Sequence, residues 1–553
     1  MNRVSCASSV LLLVGVCLWL ITMSSTTVVQ VAPEAMFGLA SVLPLSFWVS
    51  LGLVCSSLAI SIIMPAKRSC EWKLFFSVLC LIMVLYWTAL IVEPNARQTS
   101  GWDHFGEVRY VIENGHISPE KVFYHQWPLW FALTTVLSIV SNLSANLLMK
   151  IGVIIFSVFY LTALRAMVGH LTNDIRQTYL FISIFTLGNW IGQNYWSPQF
   201  IAFLIYIVLW MLVLRSPAKK WGRGILVVFL FLIVTLTATH PLTPVAFILS
   251  ILGLKLIKSE FALRISLSLV ALFFLFWQFS MAPFGVMRSI SIVPSSFTPT
   301  SQSFFLTREL SRLFFPALGT FIRLYIKGAL VTLYLFLALV AVANAYKAKR
   351  SYFRLVAGWT AGNLVFALVI RFSIEIVERL ILLSLIPMSI MIAYLLGRLI
   401  PEKPKKAHYV VLLGLMLIFA SFNVVTHYAN ESFEQIPTSV LHGHWFLAEY
   451  GATRTQVFDQ SGIVYYYNCI KFTPVTVWET WDVSAPFLNK QLKYYIVDIN
   501  SQNFFRFFLG TQVLSQFEEN ATVSSQFNII YDSPTVRTLM RHEEISNVHP
   551  STY

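Results

Sequence analysis

The chain has 553 residues, of which 57% are hydrophobic and 12% charged, and its mean hydropathy is +0.70. An ordinary soluble domain carries about 25% charged residues, so these values exclude a soluble globular protein. The net charge of +14 is of the size seen in nucleic-acid binders, but membrane proteins gather Lys and Arg in their cytoplasmic loops, so placement decides its meaning.

In chain order, apolar runs of the length that crosses a ~30 Å hydrocarbon core recur along most of the sequence. They lie near 8–29, 38–63, 74–92, 147–168, 177–191, 199–215, 224–239, 244–258, 262–281, 322–345, 355–370, 380–399 and 408–427. They predict a mainly α, polytopic membrane protein with about 13 transmembrane helices. Basic clusters alternate with them: Lys67, Arg68 and Lys73; Arg165 and Arg176; Arg215, Lys219, Lys220 and Arg223; Lys255, Lys258 and Arg264; Lys347, Lys349, Arg350 and Arg354; Arg398, Lys403, Lys405 and Lys406. All fall on the side of Arg3, so the positive-inside rule makes the amino terminus cytoplasmic and, after an odd number of crossings, the carboxyl terminus extracytoplasmic. The positive charge is then topological, and a plasma-membrane protein with membrane lipid as a partner and no nucleic acid is expected. The first run extends to Val29 without a clear small-x-small cleavage site and reads as a signal anchor. Sequons at Asn142, Asn430 and Asn520 fall on the outer side. Cys6, Cys17, Cys55, Cys70, Cys80 and Cys469 show no metal spacing and read as small apolar residues.

Residues 1–427 form the expected membrane domain, with outer loops at 93–146 and 283–320. Residues 428–553 read as a small extracytoplasmic α/β domain. In it, β-rich runs at Thr455–Phe458, Gly462–Tyr467, Thr473–Trp478 and Lys493–Ile499 alternate with helix-like stretches near 438–449 and 502–509. A hairpin over Asn528–Met540, turned at Asp532, Ser533 and Pro534, closes it.

The first outer loop carries GWDHFGEVRYVIENG at 101–115. As a helix it puts Trp102, Phe105, Val108 and Ile112 on one apolar face, with Asp103 and Glu107 one turn apart on another and His104 beside them. Two readings fit. Ser100 and Asp103 have the spacing of a capping box; alternatively, the carboxylates and His104 form a catalytic cluster. From Ile117 the chain returns to the membrane through ISPEKVFYHQWPLWFAL. With Asp103, His104, Ile112, Gly115 and Trp127-Pro128-Leu129 in this order, the chain resembles the GT-C superfamily of membrane glycosyltransferases. The likeness is one of layout over most of the chain, and it differs from the usual arrangement in placing two spans ahead of the one that leads into the acidic loop.

Three further motifs lie at the outer ends of the spans. NWIGQNYWSPQ at 189–199 brings Asn189, Gln193, Asn194 and Gln199 to one bilayer surface, either as an interfacial turn or as amides that bind a sugar or lipid headgroup. Thr239-His240-Pro241-Leu242-Thr243-Pro244 is either a proline-broken hairpin whose His240 bonds a freed carbonyl, or a phosphate site with a cationic imidazole. The second outer loop and its borders hold Arg288, Arg308, Arg312, Arg323 and Lys327, and Arg308 and Arg312 share one face of a helix. They suit a lipid headgroup or a carrier phosphate. Beyond them, Glu375, Glu378 and Arg379 stand at the mouth of a span; Glu375 and Arg379 fit an i,i+4 ion pair, and the resemblance makes Glu378 and Arg379 candidates for binding the donor.

The resemblance implies an outward-facing, inverting glycosyltransferase. Its donor is a polyprenyl-phosphate-linked hexose or pentose, its acceptor a glycan, lipid or protein, and its product a cell-surface glycan or glycoprotein. Asp103 is then the candidate base, with His104 and Glu107 as partners, and Gln193, Asn194, His240, Arg308, Arg312, Glu378 and Arg379 bind donor. No cofactor is expected; a divalent cation such as Mg or Mn stays open, although Asp103, His104 and Glu107 make a sparse ligand set. Trp478–Val483 lacks the paired tryptophans and Tyr-Gly of the oligosaccharyltransferase element it faintly resembles. A transporter or flippase of lipid-linked saccharides predicts polar groups at mid-membrane, whereas the polar residues here gather at the outer rim. A non-enzymatic scaffold is the third alternative.

Overall fold

The structure, a computed structural model, describes residues 3–26, 31, 37–64, 71–120, 122–189, 195–215, 221–261, 266–283, 318–348, 350–369, 374–401, 403–428, 435–450, 455–458, 472–475, 492–498, 502, 514–515, 517–519, 527–533 and 536–541. Helices come first: α1 (Arg3–Ser25), α2 (Leu39–Val42), α3 (Leu45–Ile63) and α4 (Glu71–Ile82), the last running through one π-helical turn, Met83–Trp87, into α5 (Thr88–Val92). Next are α6 (Thr99–Asn114), a 3₁₀ turn at Phe123–Gln126, α7 (Leu129–Ser141), α8 (Ala145–Gly169), α9 (Ile175–Gly188), α10 (Pro198–Leu214), α11 (Arg223–Thr239), α12 (Thr243–Leu256) and α13 (Leu267–Ser280). The bundle finishes with α14 (Leu318–Ala348), α15 (Arg350–Val369), α16 (Ile374–Leu399) and α17 (Lys406–Tyr428), after which comes α18 (Thr438–Tyr450).

Each apolar run coincides with a described helix or, for α2–α3 and α4–α5, a helix pair. Among the described residues, seven stretches, including Leu45–Ile63, Glu71–Val92 and Lys406–Tyr428, are long and apolar enough to cross a membrane. The protein is therefore an integral, multi-pass membrane protein. The short apolar helix α7 is not one of the runs; it lies beside α6 between two spans. Since successive spans alternate in direction, α6, the end of α9, the start of α10, the turn at His240 and the start of α16 share one end of the bundle. The described basic residues Lys73, Arg165, Arg176, Arg215, Arg223, Lys255, Arg398 and Lys406 lie toward the other.

Lipid tails are as apolar as Leu, so helices in a bilayer associate through close packing and interhelical hydrogen bonds rather than by escaping the solvent. The tightest contact, α12 on α15, is built from glycines. A Cβ on Gly253 would strike the backbone carbonyl of Gly358, and one on Gly362 would strike that of Leu249. Beside this crossing, Ser250 Oγ donates to Asn363 Oδ1 (3.0 Å), and Asn363 Nδ2 donates to Ser384 Oγ on α16 (3.3 Å). Trp359 stacks on Trp210 with ring centroids 3.5 Å apart and donates to Tyr206 Oη at 2.8 Å. The α1–α3 pair uses the same devices: Ser8 Oγ meets Ser61 Oγ at 2.8 Å, and Ser50 Oγ donates to the Gly15 carbonyl at 2.8 Å.

The C-terminal residues form a five-stranded sheet of β1 (Thr455–Phe458), β2 (Phe472–Val475), β3 (Leu492–Asp498), β4 (Phe527–Ser533) and β5 (Val536–Arg541), ordered β2-β1-β3-β5-β4. β1 pairs in parallel with β2 and β3, whereas β5 is antiparallel to β3 and β4, so the expected closing hairpin is present. The expected strand Gly462–Tyr467 lies outside the described residues, as does all but Gln502 of the helix-like stretch near 502–509. Helix α18 is tied to the first loop by Asn95, whose Nδ2 donates to the Ile436 carbonyl at 2.8 Å.

Candidate functional site

Helix α6 starts differently from the capping-box expectation. Its N-cap is Gln98, in a left-handed conformation (φ 75°) and with no side-chain cap, so Ser100 lies inside the helix and the box is absent. Trp102 sets this start by burying its ring and donating Nε1 to the Ala96 carbonyl at 2.9 Å. Trp102, Phe105 and Val108 are buried as expected, but Ile112 is 45% exposed. In the last turns Tyr110 and Val111 face inward instead, against Val122 and Ile117.

Asp103 and Glu107 stand one turn apart on α6. Glu107 is only 3% exposed; burial, and then the charge of Asp103, push its carboxyl well above the usual range. His104 lies among the rings of Tyr124 (5.2 Å), Trp130 (5.8 Å) and Phe131 (6.1 Å), and burial lowers its imidazole to about 4. It is therefore neutral. Glu107 Oε2, His104 Nδ1 and Trp130 Nε1 are buried with no hydrogen-bond partner among the described residues.

The base of the loop is tied down by buried charges. Arg97 Nε lies 3.6 Å from Glu93 Oε2, and its guanidinium sits 5.1 Å over the Tyr428 ring. Lys150 Nζ on α8 donates to the Glu93 carbonyl at 2.6 Å.

A second group of residues meets this end of the bundle from other helices. His240, 7% exposed, follows α11, and its Nδ1 accepts from the amides of Leu242 (3.3 Å) and Thr243 (3.2 Å), with Thr243 Oγ1 at 3.0 Å. The imidazole thus caps the start of α12, opposite in polarity to the expected bond to a freed carbonyl. A ring nitrogen that accepts amide protons carries a lone pair, so the hydrogen of neutral His240 is on Nε2. Burial, then Arg379, then His104 hold its basicity far below the usual range. The site therefore gains a hydrogen-bond donor from His240 in place of the expected cation.

His240, Thr243, Arg379 and Gln199 line a small, partly open pocket together with Phe203, Leu242, Leu382 and Leu383. Gln199 lies in the first turn of α10 and Thr243 begins α12, so two helix N-termini, which carry partial positive charge, border it. Because His104 bears electrostatically on His240, α6 lies within interaction range of this pocket. Phe203 also lines a second, mainly apolar cavity of ≈ 530 Å³ between the α4–α5 span, α8, α9 and α10.

The structure thus places His240 and Arg379 in one pocket, with His104 of α6 within electrostatic range of it and Asp103 bearing on Glu107 along α6. Gln193, Asn194, Arg308 and Arg312 lie outside the described residues, as does the side chain of Glu378. Gln199, one of the four amides of its motif, takes a definite place in the pocket, and Trp130 joins through its contact with His104. Trp130 could not be told from an ordinary interfacial residue without the tertiary contacts. Among the described residues, no three His, Cys, Asp or Glu side chains are grouped so that they could hold a metal ion.

No protein-family model and no curated protein matches the chain. Among solved structures it is similar to ArnT from Cupriavidus metallidurans, determined bound to undecaprenyl phosphate. The two share 12% identity over 85% of this chain and 98% of that one, with a TM-score of 0.48. It is also similar to the oligosaccharyltransferase of Archaeoglobus fulgidus, determined with Zn and sulfate, at 10% identity over 89% of this chain and 73% of that one, with a TM-score of 0.48.

Proposed function

We propose that the protein is an inverting GT-C-type glycosyltransferase that moves a hexose or pentose from a polyprenyl phosphate to a glycan, lipid or protein acceptor at the outer face of the plasma membrane. The observation that carries this reading is that α6, whose buried Glu107 and His104 hold polar atoms open, lies within electrostatic range of the His240–Arg379 pocket through His104. The basic loops occupy the opposite end, and the positive-inside rule makes that end cytoplasmic.

In this mechanism the lipid tail stays among the spans while the phosphate sits in the pocket. Burial disfavours a charge on Glu107, which leaves Asp103 as the proposed base: it takes the acceptor hydroxyl proton as that oxygen attacks the anomeric carbon. The bond from that carbon to the phosphate oxygen breaks, and the charge left on the phosphate is met by the Arg379 guanidinium, His240 Nε2–H and the two helix N-termini. Attack opposite the leaving group inverts the anomeric centre. Arg308 and Arg312, on the loop after α13, and Gln193, Asn194 and Glu378 complete the proposed donor surface. The unpartnered Glu107 Oε2, His104 Nδ1 and Trp130 Nε1 support the reading, because buried polar atoms left open in a native fold call for a ligand or water.

The transporter alternative draws on Ser250, Asn363 and Ser384, which lie within spans. These side chains bond to one another and line neither cavity, which favours a role in holding helices together. The test uses membranes that contain the full chain and a panel of radiolabelled polyprenyl phosphate hexoses and pentoses. Asp103→Asn is expected to lower transfer by about 100-fold or more at unchanged membrane abundance, and Arg379→Ala to raise the donor KM. Undiminished transfer by the Asn variant removes Asp103 from the mechanism.

A further inference from the structure

Between α6 and α7 the chain makes the 3₁₀ turn Phe123–Gln126, and His125 within it is fully buried. Its Nδ1 accepts the Ser118 amide proton at 3.1 Å, which puts the ring hydrogen on Nε2, 3.3 Å from the Glu107 carbonyl. The ring lies 5.5 Å from Tyr110 of α6 and 5.5 Å from Phe131 of α7, and Phe131 in turn touches His104. The next residue anchors the turn on its other side: the Gln126 carbonyl accepts from Trp277 Nε1 of α13 at 3.1 Å. The turn is therefore a brace between the carboxylate helix and the span that leads into the second loop, and it grips α6 at Glu107 itself.

We propose that His125 is a positioning residue, whose hydrogen bond to the Glu107 carbonyl fixes the rotation of α6 and so aims Asp103 and Glu107 at the His240–Arg379 pocket. The proposal rests on the transferase reading of that pocket. Each residue step turns an α-helix by about 100°, so a small rotation of α6 swings both carboxylates together. A displacement of about 1 Å at a reacting group costs about 100-fold in rate. Burial holds the imidazole near 4, so the donor–acceptor arrangement persists at neutral pH. His125 touches no substrate in this scheme and acts through the backbone of its neighbour.

The test compares full-length wild type, His125→Phe, His125→Gln and Asp103→Asn in lipid nanodiscs. Phe keeps the ring volume without hydrogen bonds, and Gln restores a neutral side-chain donor. Two readouts are taken: hydrogen exchange over residues 99–114, and transfer from the same panel of polyprenyl phosphate sugars. Phe is expected to speed exchange in α6 by about tenfold and to lower kcat by about 100-fold with the donor KM within about twofold. Gln is expected to recover much of both. Wild-type exchange in the Phe variant, a loss confined to KM, or equal loss in Phe and Gln overturns the proposal. If Asp103→Asn retains full transfer, Asp103 leaves the mechanism; if the wild type transfers from no donor of the panel, the transferase reading fails, and in either case exchange still shows whether His125 holds α6. Should the Phe variant not insert, the Gln variant decides by the same two readouts: near-wild-type exchange and kcat support the proposal, and Phe-scale losses in both overturn it.

Discussion

His240 shows how one hydrogen bond changes what a residue offers a ligand. As an exposed imidazole it would titrate near neutral pH and bring a charge that comes and goes. With Nδ1 committed to the amides of Leu242 and Thr243, it offers one constant N–H. Asn can accept the same amides as an N-cap but has no group in place of Nε2–H. His240→Asn is therefore expected to keep the melting temperature within a few degrees and to raise the donor KM by about tenfold; a thermal melt and a donor titration check both halves. His125 gives a pH prediction. Its folded value of about 4 lies below the ordinary 6.5, so between these values the unfolded chain binds a proton that the folded one refuses. Its contribution is intact above about 6.5 and is lost as pH falls toward 4. Glu107, raised by burial, has the opposite sign and weakens the fold as pH rises, so the variant must be compared with wild type at each pH. Relative to wild type, His125→Gln is expected to gain about 2 kcal/mol between pH 7.5 and 5, measured by denaturation in detergent.

At the scale of elements, the α12–α15 crossing depends on side chains that are absent. Gly253, Gly358 and Gly362 let two backbones touch, and a methyl at Gly362 would meet the Leu249 carbonyl, which cannot swing aside as a flexible side chain could. Gly362→Ala is expected to destabilise by about 1–3 kcal/mol, whereas Gly52→Ala on α3, with open space around its Cβ position, is expected to be neutral or slightly stabilising. Melting temperatures of the two variants decide this. The start of α6 illustrates the limit of local reading. Ser100-x-x-Asp103 has the spacing of a box, but the pattern says nothing of Trp102, whose bond to the Ala96 carbonyl and burial start the helix at Thr99. Ile112 follows the same logic. Helical spacing put it on the apolar face, whereas packing by Val122 and Ile117 drew Tyr110 and Val111 inward. Cap and face were both local inferences that tertiary contacts outweighed.

For the whole molecule, all thirteen apolar runs coincide with helices, because a bilayer leaves a chain few ways to satisfy its backbone and so makes span length and composition decisive. The hairpin of β4 and β5 was legible for a similar reason, a turn signal between two β-rich runs. Asp103 and Arg379 were legible as charges at span ends, where they are costly and so conspicuous. His125 and Trp130 were not, since their roles come from partners far away in sequence or from the tautomer of a ring, whereas Gln199 was legible as one of four amides but not as the one that lines the pocket. The glycine crossing bears on how such a bundle can move. With backbone against backbone at Gly253, Gly358 and Gly362, and Ser250 bonded to Asn363 beside them, α12 and α15 have little room to roll against each other. They are keyed like a dovetail joint, free only to shift as one piece. Whatever widens the mouth of the pocket must come from helices on its other walls, α10 and α16, and the floor beneath His240 keeps its shape while they do so.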